Sequence, residues 1–202
     1  MLVSMWDITR PIHEHMPAWP GTPAPRQRWL ERMQHGHVAD VSEWTLNAHA
    51  GTHLDAPAHF LVDAPDLETV GLAALVGPCT VLSYHALGGS AANRVLVKLR
   101  PGRGLTTADA QTLVQRGSRL VGVDALSVEP EASVNEGAPV HRLLLANGVA
   151  ILEDLDLTQV PDGEYTLVAL PLRLQHAEAS PVRAILLPPL AFSESWPGST
   201  SP

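Results

Sequence analysis

The sequence predicts an α/β fold in which a mixed β-sheet is accompanied by a few short helices. Short runs rich in Val, Leu and Ile recur along the chain and are bounded by Gly, Pro, Asn or Asp, a pattern typical of strands. Segments 106–115 and 140–146 have helical apolar spacing and recognisable ends. The 202 residues contain no internal repeat and no shift in composition. We therefore expect one domain over residues 1–190 and a Ser- and Pro-containing tail over residues 191–202.

The individual elements follow from local signals. The many prolines of residues 11–25 are incompatible with helix or central strand and predict an ordered loop. Asp66 is a candidate N-cap for a helix that reaches Leu75, and Thr106 is a candidate start for the next helix. Residues 129–139 are acidic and contain a proline near each end, so we expect a loop. The expected strands are residues 2–9, 26–31, 38–49, 77–84, 94–99, 119–124, 149–153, 165–172 and 182–187.

Composition argues against several classes of function. The net charge is −8 with histidine neutral, and there is no basic cluster, which argues against nucleic acid or an anionic membrane surface as a partner. The single cysteine, Cys79, lies in an apolar run, so we expect a buried packing role in a reducing compartment. We see neither a secretory signal nor a run of ~20 apolar residues, and we expect a cytoplasmic protein.

Residues 48–60 carry the strongest chemical signal in the chain. His49, His53, Asp55 and His59 supply imidazole nitrogen and carboxylate oxygen, which suit Zn²⁺ and neighbouring metals. The helical zinc motif does not fit, because no Glu follows the first histidine and Gly and Pro interrupt the segment. We interpret it as extended chain entering a bend, in which the first three of these residues converge on a metal. His59 is then left as a supporting or catalytic group. A loop of solvated histidines is the weaker alternative for so dense a cluster.

Two further places in the chain can contribute to a site. Residues 149–153 form an apolar run that ends on Glu153, and a carboxylate in apolar surroundings is costly unless it is paired or bound to metal. His141 lies on the preceding predicted helix, so helix and strand together can bring it close to Glu153. Trp19, in the proline-rich loop, can hold its indole over a pocket or pack on the domain edge. The sequence leaves both options open.

The pattern His49-x-Gly51-Thr52-His53-x-Asp55-x-Pro57-x-His59-Phe60 resembles the signature of the cyclase family of metal-dependent hydrolases, whose best-known branch is the bacterial kynurenine formamidases. Weaker resemblances occur in the expected order along most of the chain. They are Asp7-Ile8-Thr9, Met16-Pro17-x-Trp19-Pro20-Gly21, Gly122-Val123-Asp124, His141-x-Leu143-Leu144, Ile151-Leu152-Glu153, Ala169-Leu170-Pro171-Leu172 and Ser180-Pro181-Val182-Arg183.

This resemblance implies a swivelling β/β/α fold with a mixed sheet and short helices, and a homo-oligomer that is a dimer or larger. It implies two Zn²⁺ ions per subunit in the formamidase branch, and one metal, sometimes Mn²⁺, in others. The positions that match the family's first metal site are His49, His53 and Asp55. Those that match the second are His141 and Glu153, with Asp55 bridging. His59 matches the proton donor and acceptor, and Trp19 matches the aromatic contact to substrate.

The activity implied is hydrolysis of N-formyl-L-kynurenine to L-kynurenine and formate in tryptophan catabolism, by a metal-activated water with His59 as general acid and base. The chain departs from the formamidase pattern at Arg100–Leu105, where the segment is shorter. A lactam, isatin-like or lactone substrate therefore stays open. A metal-binding or interaction protein without catalysis is a third possibility, against which the presence of His59 argues. A serine hydrolase finds no support, because the Gly-x-Ser-x-Gly motif is missing from the sequence.

Overall fold

The computed structural model describes residues 5–89 and 93–190. Its strands are β1 (Trp6–Asp7), β2 (Arg26–Glu31), β3 (Val41–Thr45), β4 (His53–Asp55), β5 (Val76–Ser83), β6 (Arg94–Lys98), β7 (Leu120–Val123), β8 (Ala150–Glu153), β9 (Gly163–Pro171) and β10 (Ala179–Leu187). Its α-helices are α1 (Leu72–Leu75), α2 (Thr107–Gln115), α3 (Glu131–Asn135) and α4 (Pro139–Ala146). Within the described ranges, no helix has the length and apolar character needed to cross a membrane.

The main sheet is mixed and closes on itself. Its strand order is β1-β10-β4-β8-β7-β6-β5-β9, and an additional pairing between β9 and β10 closes the strands from β10 to β9 into a barrel, with β1 paired to the edge of β10. The pairs β5–β6, β6–β7 and β7–β8 are parallel, whereas the pairs made by β4, β9 and β10 are antiparallel. Strands β2 and β3 form a separate two-stranded sheet. The predicted α/β class with a mixed sheet and short helices is confirmed.

Two apolar cores lie on opposite faces of this sheet. The first takes side chains from each strand of the closed barrel, so it fills the interior; Leu54, Leu96 and Leu152 are among its fully buried members. The second lies outside the parallel strands, where Leu113 of α2 and Leu144 of α4 pack on the strands. Alternation of side chains along each strand produces this division. It also leaves an outer surface beside α4 on which polar side chains can gather.

Most predicted elements are confirmed, with four differences. Within the described residues, the strand expected over residues 2–9 is limited to Trp6–Asp7, and residues 2–4 lie outside them. The helix expected from Asp66 to Leu75 is instead a 3-10 turn followed by α1; the two are separated at Val70 and Gly71, which have extended backbone. The strand expected over residues 38–49 ends at Thr45. The loop expected over residues 129–139 contains helix α3. The expected tail, residues 191–202, lies outside the described residues, and the division into domain and tail stays a prediction.

Candidate metal centre

The candidate site forms where β4 and β8 run side by side. Their antiparallel register sets His53 directly opposite Glu153 and Leu54 opposite Leu152. Paired residues project from the same face of a sheet, and successive residues alternate between faces. Leu54 and Leu152 therefore enter the barrel interior. His53, Asp55 and Glu153 project from the outer face, on the side of α4.

Asp55 lies at the centre of this cluster. The residue has 0% exposure, and neither carboxylate oxygen has a hydrogen-bond partner among the described residues. The nitrogens His49 Nδ1 and His53 Nε2 lie 3.1 and 3.5 Å from Asp55 Oδ1, without hydrogen-bond alignment. A buried carboxylate without partners is costly, whereas the same oxygens beside imidazole nitrogens are suitable ligands for a divalent cation. The donor set therefore fits a metal.

The turn before β4 positions the two histidines. The backbone N–H of His49 donates to Asn47 Oδ1 at 2.7 Å, which places His49 on a turn rather than on the strand expected there. Gly51 has φ +66°, a conformation that favours glycine, and packs against Ile12. The Gly51 carbonyl lies 2.8 Å from His53 Nδ1. Because a carbonyl only accepts, Nδ1 carries the proton and Nε2 faces Asp55 and Glu153.

The second half of the cluster comes from α4 and β8. Nε2 of His141 lies 3.0 Å from Glu153 Oε1, and Nε2 of His53 lies 3.4 Å from Glu153 Oε2. The backbone N–H of Val128 donates to Glu153 Oε1 at 2.6 Å and fixes the carboxylate. The structure therefore brings all five predicted metal-ligating residues together, although they come from two remote parts of the chain. The atoms of His53, Asp55 and Glu153 form one compact group and those of His49, Asp55 and His59 another; Asp55 is common to both.

Burial and charge act in opposite directions on these groups. Burial lowers the pKa of His53, but contact with Glu153 and the charge of Asp55 outweigh it and raise the pKa to about 9. Burial likewise lowers the pKa of His141, but hydrogen bonds to Glu129 and Glu153 outweigh this effect and raise the pKa to about 10. Burial raises the pKa of Glu153, and the two histidines more than reverse this effect. The cluster thus favours the charged form of Glu153, the form that binds metal.

His59 lies at the open side of the cluster. It ends the 3-10 turn Pro57–His59, and its ring centroid is 4.1 Å from that of His49 and 6.3 Å from that of His141. Burial lowers the pKa of His59, and the neighbouring histidines lower it further against the opposing charge of Asp55. A neutral imidazole beside the cluster can accept a proton.

A cavity of about 300 Å³ opens over the cluster, at the small end of the range for ligand sites. Its polar floor is formed by His49, His53, His59, His141 and Glu153. Trp19, half-buried, forms part of an apolar wall together with prolines of the loop 11–25. Of the two positions considered for Trp19 from sequence, the structure shows the pocket. The described residues that line the cavity include none from Arg100–Leu105.

Sequence reasoning missed Glu129. It lies in the segment expected to be a loop, yet it is 1% exposed and its carboxylate accepts from His141 Nδ1 at 2.7 Å. The expectation failed because helix α3 begins directly after Pro130, its N-cap residue. A buried glutamate and a solvated one have the same local pattern of acidic and proline residues. The one available signal is Ser133, four residues on, whose hydroxyl donates to Glu129.

Gly104 packs directly on the backbone beneath Glu129. A Cβ at this position would lie 2.6 Å from Glu129 Cα and 2.6 Å from Pro130 Cδ, so the backbone would have to move. We expect Gly104→Ala to lower the free energy of unfolding by about 1–3 kcal/mol, measured by urea denaturation. Gly71→Ala is the matched control, because a Cβ there meets nothing within 4 Å. Equal stability of the two variants would show that the close approach is unimportant.

Comparison with known proteins places this geometry in context. The family model named Cyclase matches residues 6–99. The chain is 35% identical over 206 residues to the kynurenine formamidase of Delftia acidovorans, covering 90% of this chain and 96% of that protein. A solved structure described as a potential metal-dependent hydrolase with cyclase activity has a TM-score of 0.77 and 29% identity, covering 94% and 100% of the two chains. Isatin hydrolase A from Labrenzia aggregata has a TM-score of 0.80 at 20% identity, covering 92% and 94%, which shows a shared fold.

The fold, the cluster of possible metal-binding residues and the comparisons together define the class as metal-dependent hydrolases. The chain belongs to the cyclase family, in the branch of the bacterial kynurenine formamidases. It is accordingly an enzyme, an arylformamidase-like hydrolase.

Proposed function

We propose that this enzyme hydrolyses N-formyl-L-kynurenine to L-kynurenine and formate, with two Zn²⁺ ions held by the cluster. The observation that carries the proposal is Asp55: a fully buried carboxylate, neither of whose oxygens has a hydrogen bond among the described residues, beside the imidazole nitrogens of His49 and His53. The length of the match to a kynurenine formamidase supports the choice of substrate. A homo-oligomer and a cytoplasmic location stay predictions of the sequence.

The proposed ligands divide between two ions. His49, His53 and Asp55 would hold the first, and His141 and Glu153 would hold the second together with Asp55. When bound, such ions supply Lewis acidity: they lower the pKa of water and polarise a carbonyl oxygen. The orientation of His53 supports its role as a ligand, because its Nδ1 is engaged by the Gly51 carbonyl and its Nε2 faces Asp55 and Glu153.

His59 supplies the proton transfers in this proposal. It lies beside the ligand cluster, at the cavity floor, and its lowered pKa keeps it neutral near pH 7. It accepts a proton from the attacking water and returns that proton to the amine nitrogen as the C–N bond breaks. Protonation is needed because an amine is a poor leaving group. One water is consumed, and its oxygen enters formate.

The apolar wall of the cavity would orient the substrate. Trp19 can stack on the aromatic ring of the substrate, with Phe60 beside His59 at a ring-centroid distance of 4.2 Å. The cavity of about 300 Å³ suits a small aromatic amide rather than a polymer. In this proposal the apolar wall provides affinity for the substrate, and His59 carries out the proton transfers.

The test is direct hydrolysis by the metal-loaded protein. We expect Zn²⁺-loaded enzyme to convert N-formyl-L-kynurenine to kynurenine, followed by the absorbance of kynurenine, and chelation to reduce turnover to the background rate. Re-addition of Zn²⁺ or Mn²⁺ should restore it. Isatin and a simple lactone are tested in parallel. The segment Arg100–Leu105 is shorter than in the formamidases and is absent from the cavity lining, so the choice of substrate needs its own test. Turnover of isatin or lactone with none of N-formyl-L-kynurenine would refute the proposed substrate.

A further inference from the structure

Glu129 stands at the centre of a buried hydrogen-bond network behind His141. Its Oε1 accepts from the backbone N–H of His141 at 3.0 Å and from His141 Nδ1 at 2.7 Å. Its Oε2 accepts from the hydroxyl of Ser133 and from the backbone N–H of Val140 at 3.3 Å. Four donors therefore converge on one carboxylate that is shielded from water. Such an arrangement fits the ionised form, which only accepts hydrogen bonds.

This network decides which nitrogen of His141 is available. Because Glu129 only accepts, Nδ1 carries a proton. Without a metal, Nε2 donates a second proton to Glu153 Oε1, 3.0 Å away, and a divalent ion would replace that second proton. Phe60 packs on the other side of the imidazole with ring centroids 4.3 Å apart, so the ring has little freedom to rotate. Gly104 lies so close to the backbone of Glu129 that a side chain at this position would displace it. The contacts with Glu129 and Phe60 thus fix the orientation of the His141 ring.

We propose that Glu129 is a positioning residue for the metal site: it fixes the tautomer and direction of His141 and makes Nε2 a stronger ligand for the second divalent ion. The inference rests on the proposed function, because it needs a metal at His141 and Glu153. Carboxylate partners of ligating histidines raise the basicity of the ring, and their removal weakens metal binding by about 10- to 100-fold.

A purely structural role must be distinguished, because Glu129 also caps helix α4. The N-cap residue of this helix, Ala138, has no side chain able to cap, and the carboxylate of Glu129 accepts two N–H groups of the first turn instead. Glu129→Gln separates the two roles. Its single amide oxygen can still accept from the backbone N–H of His141, although its NH2 group then faces the N–H of Val140, and the side chain lacks the negative charge that polarises the imidazole.

The experiment is a Zn²⁺ titration of metal-free protein by calorimetry, with wild type, Glu129→Gln and the control Glu131→Gln. Glu131 is an exposed acidic residue of α3, so its replacement changes net charge equally. We expect Glu129→Gln to weaken one of two binding events by about 10- to 100-fold and to leave the other event unchanged. The loss of half the helix cap should appear separately, as a lower melting temperature of the metal-free protein. Glu131→Gln should match wild type in all three.

A second readout reports the ring itself. In ¹⁵N-histidine-labelled, zinc-loaded wild type we expect the Nδ1–H groups of His53 and His141 to be protected from exchange, and the signal of His141 is assigned by its loss in His141→Ala. In Glu129→Gln this proton should exchange faster. Unchanged affinities and an unchanged Nδ1–H in Glu129→Gln would overturn the inference while leaving the proposed function intact. Wild type that binds no Zn²⁺ would instead overturn the proposed function, and the inference with it.

Discussion

Asp55→Asn is expected to abolish tight binding of metal at both positions and to lower turnover of N-formyl-L-kynurenine by roughly 10³-fold or more. An amide lacks the charge of the carboxylate, and in the proposed site Asp55 is a ligand of both ions. The residue is completely buried between His49 and His53, so water cannot replace it easily. Metal content after dialysis, measured by mass spectrometry, checks the first expectation.

Thermal melting gives an independent check on Asp55. Wild type should melt at a higher temperature with Zn²⁺ than without, since a ligand that binds only the folded state stabilises it. Asp55→Asn should lose this difference. Asp63→Asn is the control, because Asp63 is an exposed aspartate with no part in the cluster. An Asp55→Asn protein that retains two ions would contradict the bridging role.

His59→Ala is expected to keep its metal but to lose turnover by about 10²- to 10⁴-fold, the range for removal of a general acid and base. Metal content is the decisive measurement, because the nitrogen of His59 lies close enough to His49 and Asp55 to act as a ligand instead. Loss of one ion would assign His59 to the metal. Turnover equal to wild type would rule out both roles for His59, as general acid and base and as a metal ligand.

Two controls sharpen the result for His59. His85→Ala removes an exposed histidine elsewhere in the chain and should leave metal content and turnover unchanged. Added imidazole should partly restore turnover to His59→Ala if the missing function is proton transfer. It should have no effect if the variant has lost an ion.

The elements predicted well from sequence have their causes nearby in the chain. Helix α2 begins at a capping box in which Thr106 and Asp109 satisfy each other's backbone, and both partners are visible in the sequence. Strand β8 was predicted from an apolar run, and it is buried throughout. The closure of the barrel through β9 and β10 could not be predicted, because strand pairing depends on contacts between distant segments.

The same distinction applies to the site. His53 and Asp55 were predicted to share a face because they are two residues apart on extended chain, and β4 has this form. His49 was placed on a strand, but an Asn47 turn positions it, since a side chain can offer the backbone an alternative to the sheet. For Glu129 the nearby Ser133 was not enough to predict burial, because that burial depends on Gly104 and α4, which meet Glu129 only in the folded protein.

The pairing of β4 with β8 has a consequence for how the protein folds. These strands are neighbours in the sheet although β5, β6 and β7 lie between them in sequence. Contacts between distant segments form slowly, because the intervening loop must be closed first. The cation-binding pocket should therefore be among the last parts to form during refolding. The rate of zinc uptake would then report the rate at which the native strand pairing forms.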